Sequence, residues 1–178
     1  MTSITTNWLP KLKQGEDLEQ ELLGILKTIY PNAHKLQGNE KRADFYLPES
    51  KLLIELKYDV KSDETNNFAF ECYFHDKPSG ILTTQSQIWC VADSTAFYFM
   101  ALVHLRHFLR KLQQDGKLSL VRGGDDNASK MVVVWKNYFQ RKDWVHSFKR
   151  HDATISRIAL QMFLERFYIP PVDLSTCA

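Results

Sequence analysis

Asp44, Glu55 and Lys57 are the residues whose types and spacing could do chemistry together, in the segment RADFYLPESKLLIELK from Arg42 to Lys57. Glu55 and Lys57 are two residues apart, so in an extended strand both project from one face. Asp44 precedes them on a segment able to fold back as the partner strand. Two carboxylates meeting at one point would hold a hard divalent cation through oxygen ligands. A lysine beside them adds a compact positive charge that can orient or deprotonate a water, or stabilise a phosphorane-like transition state. These parts suit phosphodiester hydrolysis, in which a metal polarises the phosphate and acidifies a water. The plainer alternative is that Asp44 caps a turn while Glu55 and Lys57 lie on a solvated strand face.

The elements that must position these residues can be read from periodicity. Ala43–Leu47 reads as a strand, Pro48–Lys51 as a turn and Leu52–Asp59 as a second strand, a hairpin. In the second strand Leu52, Ile54, Leu56 and Tyr58 share one face, and Leu53, Glu55, Lys57 and Asp59 the other. Upstream, Glu16 to Tyr30 has apolar residues at helical spacing, stopped by Pro31. At about 100° per residue Glu19 falls on the apolar side of that helix, between Leu26 and Tyr30. Phe68–Phe74 alternates as a further strand that carries Glu71. His75–Gly80 is turn chemistry, Thr83–Gln87 a short helix, and two short strands flank Asp93 and Ser94. Ala101–Gln114 is a second long helix, Val121–Lys130 a loop with Gly123-Gly124-Asp125, Met131–Trp135 a short buried strand, and Asp152–Phe167 a C-terminal helix. The order predicts a mixed α/β (α+β) fold with one central mixed β-sheet flanked by helices.

Asp44, ten residues, then Glu55-x-Lys57 resembles the motif of the PD-(D/E)XK superfamily of metal-dependent nucleases. Gly15-x-x-Leu18-Glu19-x-x-Leu22 is similar to the helix that precedes the hairpin in that superfamily. The resemblance runs from about Gly15 to Asp93, and the later PSG and GGD segments are loosely similar to small phage-encoded members. Ala43 stands where a proline is usual. The resemblance implies a restriction-endonuclease-like core, a Mg²⁺ or Mn²⁺ cofactor, metal binding by Glu19 and Asp44, a bridging role for Glu55, and assistance to the nucleophilic water by Lys57. It implies a single nuclease domain over 1–178, with a catalytic core at about 15–100. Compact members often act as dimers, so a homodimer is an expected arrangement.

Further candidates are weaker. Glu71 could give a fourth carboxylate or be an edge-strand charge facing water. Gln85 precedes Trp89 where some superfamily members place a glutamine near the water or phosphate; otherwise it is a polar surface residue. His104 and His107 share a helix with Arg106, Arg110 and Lys111 and read as a solvated face. From Lys130 to Arg150, Lys130, Lys136, Arg141, Lys142, Lys149 and Arg150 face one acid, Asp143, with five aromatics interleaved. Such a stretch, in a basic and aromatic C-terminal part at about 120–170, can grip a nucleic-acid backbone and stack on bases. The alternative is that its aromatics are core.

Composition narrows the classes. With 178 residues the chain can bury a core without disulfide or metal staples. A net charge of +2 does not by itself mark a nucleic-acid binder. Three scattered cysteines form no disulfide framework, the start lacks the apolar core of a signal peptide, and no apolar run nears the ~20 residues that span a bilayer. The expectation is a cytoplasmic enzyme (in the host cytoplasm if phage-encoded) acting on DNA, with RNA less favoured and no membrane partner. A junction- or flap-selective resolvase, or a non-cleaving nucleic-acid-binding module of the same fold, are the other readings.

Overall fold

Alternation of apolar and polar side chains around Glu55 produces the central element of the fold. The structure, a computed structural model, describes residues 8–37, 43–124, 127–150 and 157–167. Following α1 (Trp8–Lys27) and a two-residue strand β1 (His34–Lys35), strands β2 (Phe45–Leu47) and β3 (Leu52–Tyr58) form the expected hairpin. Phe45 lies opposite Ile54 and Leu47 opposite Leu52, and Lys51 closes the turn at φ 54°. The apolar set Leu52, Ile54 and Leu56 is buried while Leu53, Glu55 and Lys57 are half-buried, the period-2 split that the sequence predicts.

Beyond β3 the chain leaves for a second sheet. One helical turn, α2 (Ser62–Thr65), leads into β4 (Asn67–Phe74) and β5 (Lys77–Pro78). It returns through β6 (Ile88–Ala92), which pairs parallel with β3, and β7 (Ala96–Ala101). Then come α3 (Leu102–Gln114), β8 (Leu120–Gly123), β9 (Ser129–Trp135), β10 (Val145–Lys149) and α4 (Arg157–Glu165). The central sheet is mixed, ordered β1-β2-β3-β6-β7-β10, and the second is antiparallel, ordered β5-β4-β9-β8. All five residues of β6 are buried, as a strand covered on both faces requires.

Each face of the central sheet has its own core. On one, Ile54, Leu56, Cys90 and Phe97 pack against Leu22 and Leu26 of α1 and Leu160 and Leu164 of α4. On the other, Trp89, Val91 and Met100 meet Phe68 and Phe70 of β4 and Leu105 and Leu109 of α3. Full burial of a leucine such as Leu22 is worth about 2 kcal/mol, so either layer loses much when one is truncated. The result is a mixed α and β fold whose central sheet has helices on both faces. Among the described residues no helix is long and apolar enough to cross a membrane.

Several elements differ from expectation. α1 starts already at Trp8 and ends at Lys27, with Tyr30 held past its end by a hydrogen bond from its amide to the Leu26 carbonyl. Thr83–Gln87 is not helical. Gly80–Leu82 makes a 3₁₀ turn, and Gln87 extends the sheet, exchanging its amide with the Leu53 carbonyl and its side-chain oxygen with the Leu53 amide. Val121 to Gly123 belong to β8 rather than a loop. β9 has an open face, with Trp135 50% exposed. Strand β10, which periodicity did not mark, seals the sheet edge by stacking Phe148 on Phe99 and tilting it against Phe97. Asp125, Asp126 and the expected helix start at Asp152 lie outside the described residues.

Candidate active site

The unequal lengths of β2 and β3 create the site. β2 begins only at Phe45, whereas β3 continues to Tyr58, so the β3 amides beyond Ile54 outrun their strand partner. Asp44 fills the gap. Its amide donates to the Ile54 carbonyl at 3.0 Å, and its Oδ2 accepts from the Leu56 amide at 2.7 Å. The Asp44 carboxylate is thereby fixed against the backbone between Glu55 and Lys57. Burial pushes its pKa above the usual carboxylate range; the Leu56 amide and the Lys57 charge offset only part of this, and the nearby Glu19 adds to it.

Glu55 and Lys57 meet directly, Oε1 to Nζ at 2.6 Å. The other Glu55 oxygen accepts from the Thr84 hydroxyl at 3.2 Å. Thr84 is held in turn, since Arg106 of α3 donates Nη2 to its carbonyl at 2.9 Å and Nε to the Ile81 carbonyl at 2.8 Å. Burial would lower the Lys57 pKa, but contact with Glu55, reinforced by Asp44 and Glu71, outweighs it and the pKa is raised. Lys57 is therefore an ammonium at neutral pH, lying 5.8 Å from the Trp89 ring centre.

Glu19 and Glu71 flank this centre without joining it. Glu19 is on α1 as its periodicity predicts and pairs with Lys35 of β1. Glu71 lies close enough to act on the Lys57 charge, yet its oxygens accept from Ser79 at 2.8 Å and Ser129 at 2.6 Å. Its backbone is pressed against Gly80, where any added Cβ would come 2.5 Å from the Glu71 carbonyl oxygen, so only glycine fits. Gln85 is exposed, and Thr84 beside it is the residue that reaches Glu55. Thr84, Lys35 and Arg106 were not anticipated, because their roles come from contacts distant in sequence.

The basic stretch is divided by the fold. Lys136 is not at the surface: it lies within the protein, 2.7 Å from Asp93, with only 13% of its side chain exposed. Arg150 pairs with Glu21 and donates Nη1 to the Asp93 carbonyl at 3.0 Å. Both are engaged by carboxylates within the fold, a placement that the expectation of backbone-gripping residues did not include. Lys130 pairs with Asp76 at 2.6 Å, while Arg141, Lys142 and Lys149 are exposed. Phe139 and Phe148 belong to the core or pack on it, whereas Trp135 and Tyr138 are exposed.

Among the described residues no three His, Cys, Asp or Glu side chains converge closely enough to cage an ion. Glu55 touches Lys57, and Asp44 is near enough to act on its charge. Mg²⁺ is commonly held by one or two carboxylates, with waters and substrate phosphate completing its shell. A half-buried carboxylate that takes one amide donor among the described residues suits such an ion, so Asp44 with Glu55 fits it as a two-carboxylate site. Glu19, engaged by Lys35, would be an outer contributor rather than a direct ligand. No protein-family model, curated protein or solved structure matches this chain.

Proposed function

We propose that the protein is a divalent-metal-dependent endonuclease hydrolysing DNA phosphodiester bonds, built on a restriction-endonuclease-like core. The observation that carries this is the hairpin end, where a half-buried, donor-poor carboxylate, Asp44, acts on the lysine of the Glu55–Lys57 pair. Mg²⁺ or Mn²⁺ bound there would supply Lewis-acid polarisation of the phosphate and an acidified water. The chain's own part is positioning and charge. The Leu56 amide orients Asp44, the Thr84 hydroxyl orients Glu55, and Arg106 holds the loop that carries Thr84. Lys57, as an ammonium, serves better as a fixed positive charge for phosphoryl oxygens than as a base.

The test is a substrate panel of plasmid, linear, nicked, branched and single-stranded DNA and RNA, each with Mg²⁺, Mn²⁺ or EDTA. Metal-dependent nicking or linearisation of DNA that EDTA stops is the expected result. Cutting that continues in EDTA would remove the reading. Preferred cleavage of branched over linear duplex would turn it toward a resolvase-type enzyme, and binding without cleavage in every condition would leave a nucleic-acid-binding module.

A further inference from the structure

A cavity of about 550 Å³ opens beside the candidate site, lined by the apolar Leu102, Val103 and Phe167 together with four basic side chains. Arg106, His107 and Arg110 face it from α3, and Arg166 just past α4 adds another guanidinium. Among the described residues no carboxylate lines it. Ser86 connects it to the site: its hydroxyl is 3.2 Å from that of Thr84, which is itself 3.2 Å from Glu55. The groove is thus two side chains removed from the Glu55 carboxylate.

The charge pattern of α3 is unusual for a helix that only needs solvation. Its buried stripe is Leu102, Leu105, Leu109 and Leu112. Its remaining surface carries His104, Arg106, His107, Arg110 and Lys111 with no acid among its residues. Arg106 and Arg110 are four apart, a like-charge pair that costs a helix a few tenths of a kcal/mol. A solvated face ordinarily offsets such charges with glutamates at the same spacing. Nothing in α3 does so. An anion in the groove would.

The guanidiniums differ in how they are held. Two backbone carbonyls fix Arg106, so its orientation is set before any ligand arrives. Arg110 is exposed. Arg166 is 56% exposed and donates Nη1 to the Asp143 carbonyl at 3.1 Å, with the Asp143 carboxylate 3.9 Å from Nη2. Along α3 the rise from Arg106 to Arg110 is about 6 Å, a step on the scale of successive phosphates in one strand.

We infer that this groove is the track of the DNA backbone, with Arg106, Arg110 and Arg166 binding phosphates and guiding the scissile bond toward Glu55. The choice of ligand rests on the nuclease reading; the groove and its charge do not. Arg110 and Arg166 take the gripping role in place of the ion-paired Lys136 and Arg150.

The test is fluorescence anisotropy of a labelled DNA duplex in EDTA, where no metal-dependent cutting competes, from 50 to 200 mM salt. Arg110→Gln/Arg166→Gln is compared with wild type and with Lys142→Gln/Lys149→Gln, all with thermal midpoints matched to wild type. Arg106 is left intact because it positions Thr84. The groove variant should bind at least about tenfold more weakly, and its log K against log salt slope should flatten by about two phosphate contacts. The lysine variant should bind almost as wild type does. Unchanged binding by the groove variant, loss confined to the lysine variant, or no binding by wild type overturns the inference. Glu55→Gln should bind at least as tightly as wild type without cutting. Groove-dependent binding by a wild-type protein that never cuts would defeat the nuclease reading alone. Normal cutting with an unaffected groove variant would defeat the groove alone.

Discussion

Two aspartate–lysine clusters lie on the central sheet and treat their charges in opposite ways. At the β6–β7 turn the Asp93 carboxylate, 1% exposed, accepts from the Thr95 amide and hydroxyl, the Ala96 amide and the Lys136 ammonium, all within 2.8 Å. Burial alone would raise its pKa, but Lys136 and the three other donors win and hold it below the usual range. The same burial, with the Asp93 charge, pushes the Tyr98 hydroxyl up to about 12. At the β2–β3 end Asp44 has the Leu56 amide, and the neighbouring lysine is bonded to Glu55 instead. Its pKa is raised. A buried carboxylate supplied with donors stabilises the fold, while a half-buried one left short of them is suited to receive a cation.

That contrast can be broken by mutation, most severely at the chemistry. Asp44→Ala or Glu55→Gln should cut DNA cleavage by about a thousandfold or more, because each removes half of the two-carboxylate site. Lys57→Ala should cost about a hundredfold in rate with metal affinity largely kept, as for the loss of one electrostatic stabiliser. Single-turnover cleavage measures both. If Lys57→Ala cleaved at the wild-type rate, its positive charge would have no part in catalysis.

Stability should move in opposite directions at the two aspartates. Asp93→Asn leaves Lys136 buried without its counter-ion and should cost about 3 kcal/mol at neutral pH by urea unfolding. A folded-state pKa held low stabilises above the unfolded value and is lost as pH falls through the lowered one. The deficit of the variant should therefore shrink below about pH 4. Asp44→Asn should do the reverse. A raised folded pKa means that the ionised form destabilises, so stability is present at low pH and lost as pH rises through the raised value. In the absence of metal this variant should gain about 1 kcal/mol at neutral pH, a few degrees in Tm, with the gain vanishing in acid. Mg²⁺ should raise the Tm of wild type and leave that of the variant unmoved. Equal metal-free midpoints at neutral pH would mean that Asp44 carries no burial cost.

Much of this site could be read directly from residue spacing. Period-2 alternation places Glu55 and Lys57 on one face, and the register of Phe45 opposite Ile54 brings Asp44 to them. Helical spacing likewise puts Glu19 toward the sheet. What spacing does not carry is who meets whom across the fold. Lys35 sits on a strand too short to alternate, and Thr84 reaches Glu55 across 29 positions. The ion pairs of the basic stretch were hidden for the same reason. Arg150 and Lys136 look like surface charges until Glu21, 129 positions away from Arg150, and Asp93, 43 from Lys136, are brought beside them. Conversely, the acid-free surface of α3 was visible as a pattern, but its place next to Glu55 depends on the return of the chain through β6 and β7.

The central claim is that Asp44 is a metal-binding carboxylate and not another structural one. Cleavage of supercoiled plasmid by wild type and Asp44→Asn, in Mg²⁺ and at equal folded concentration, tests it most directly. Wild type should give nicked and linear products, and a variant that is folded and more stable when metal-free should give none. Mg²⁺-dependent cleavage by Asp44→Asn at the wild-type rate would contradict it.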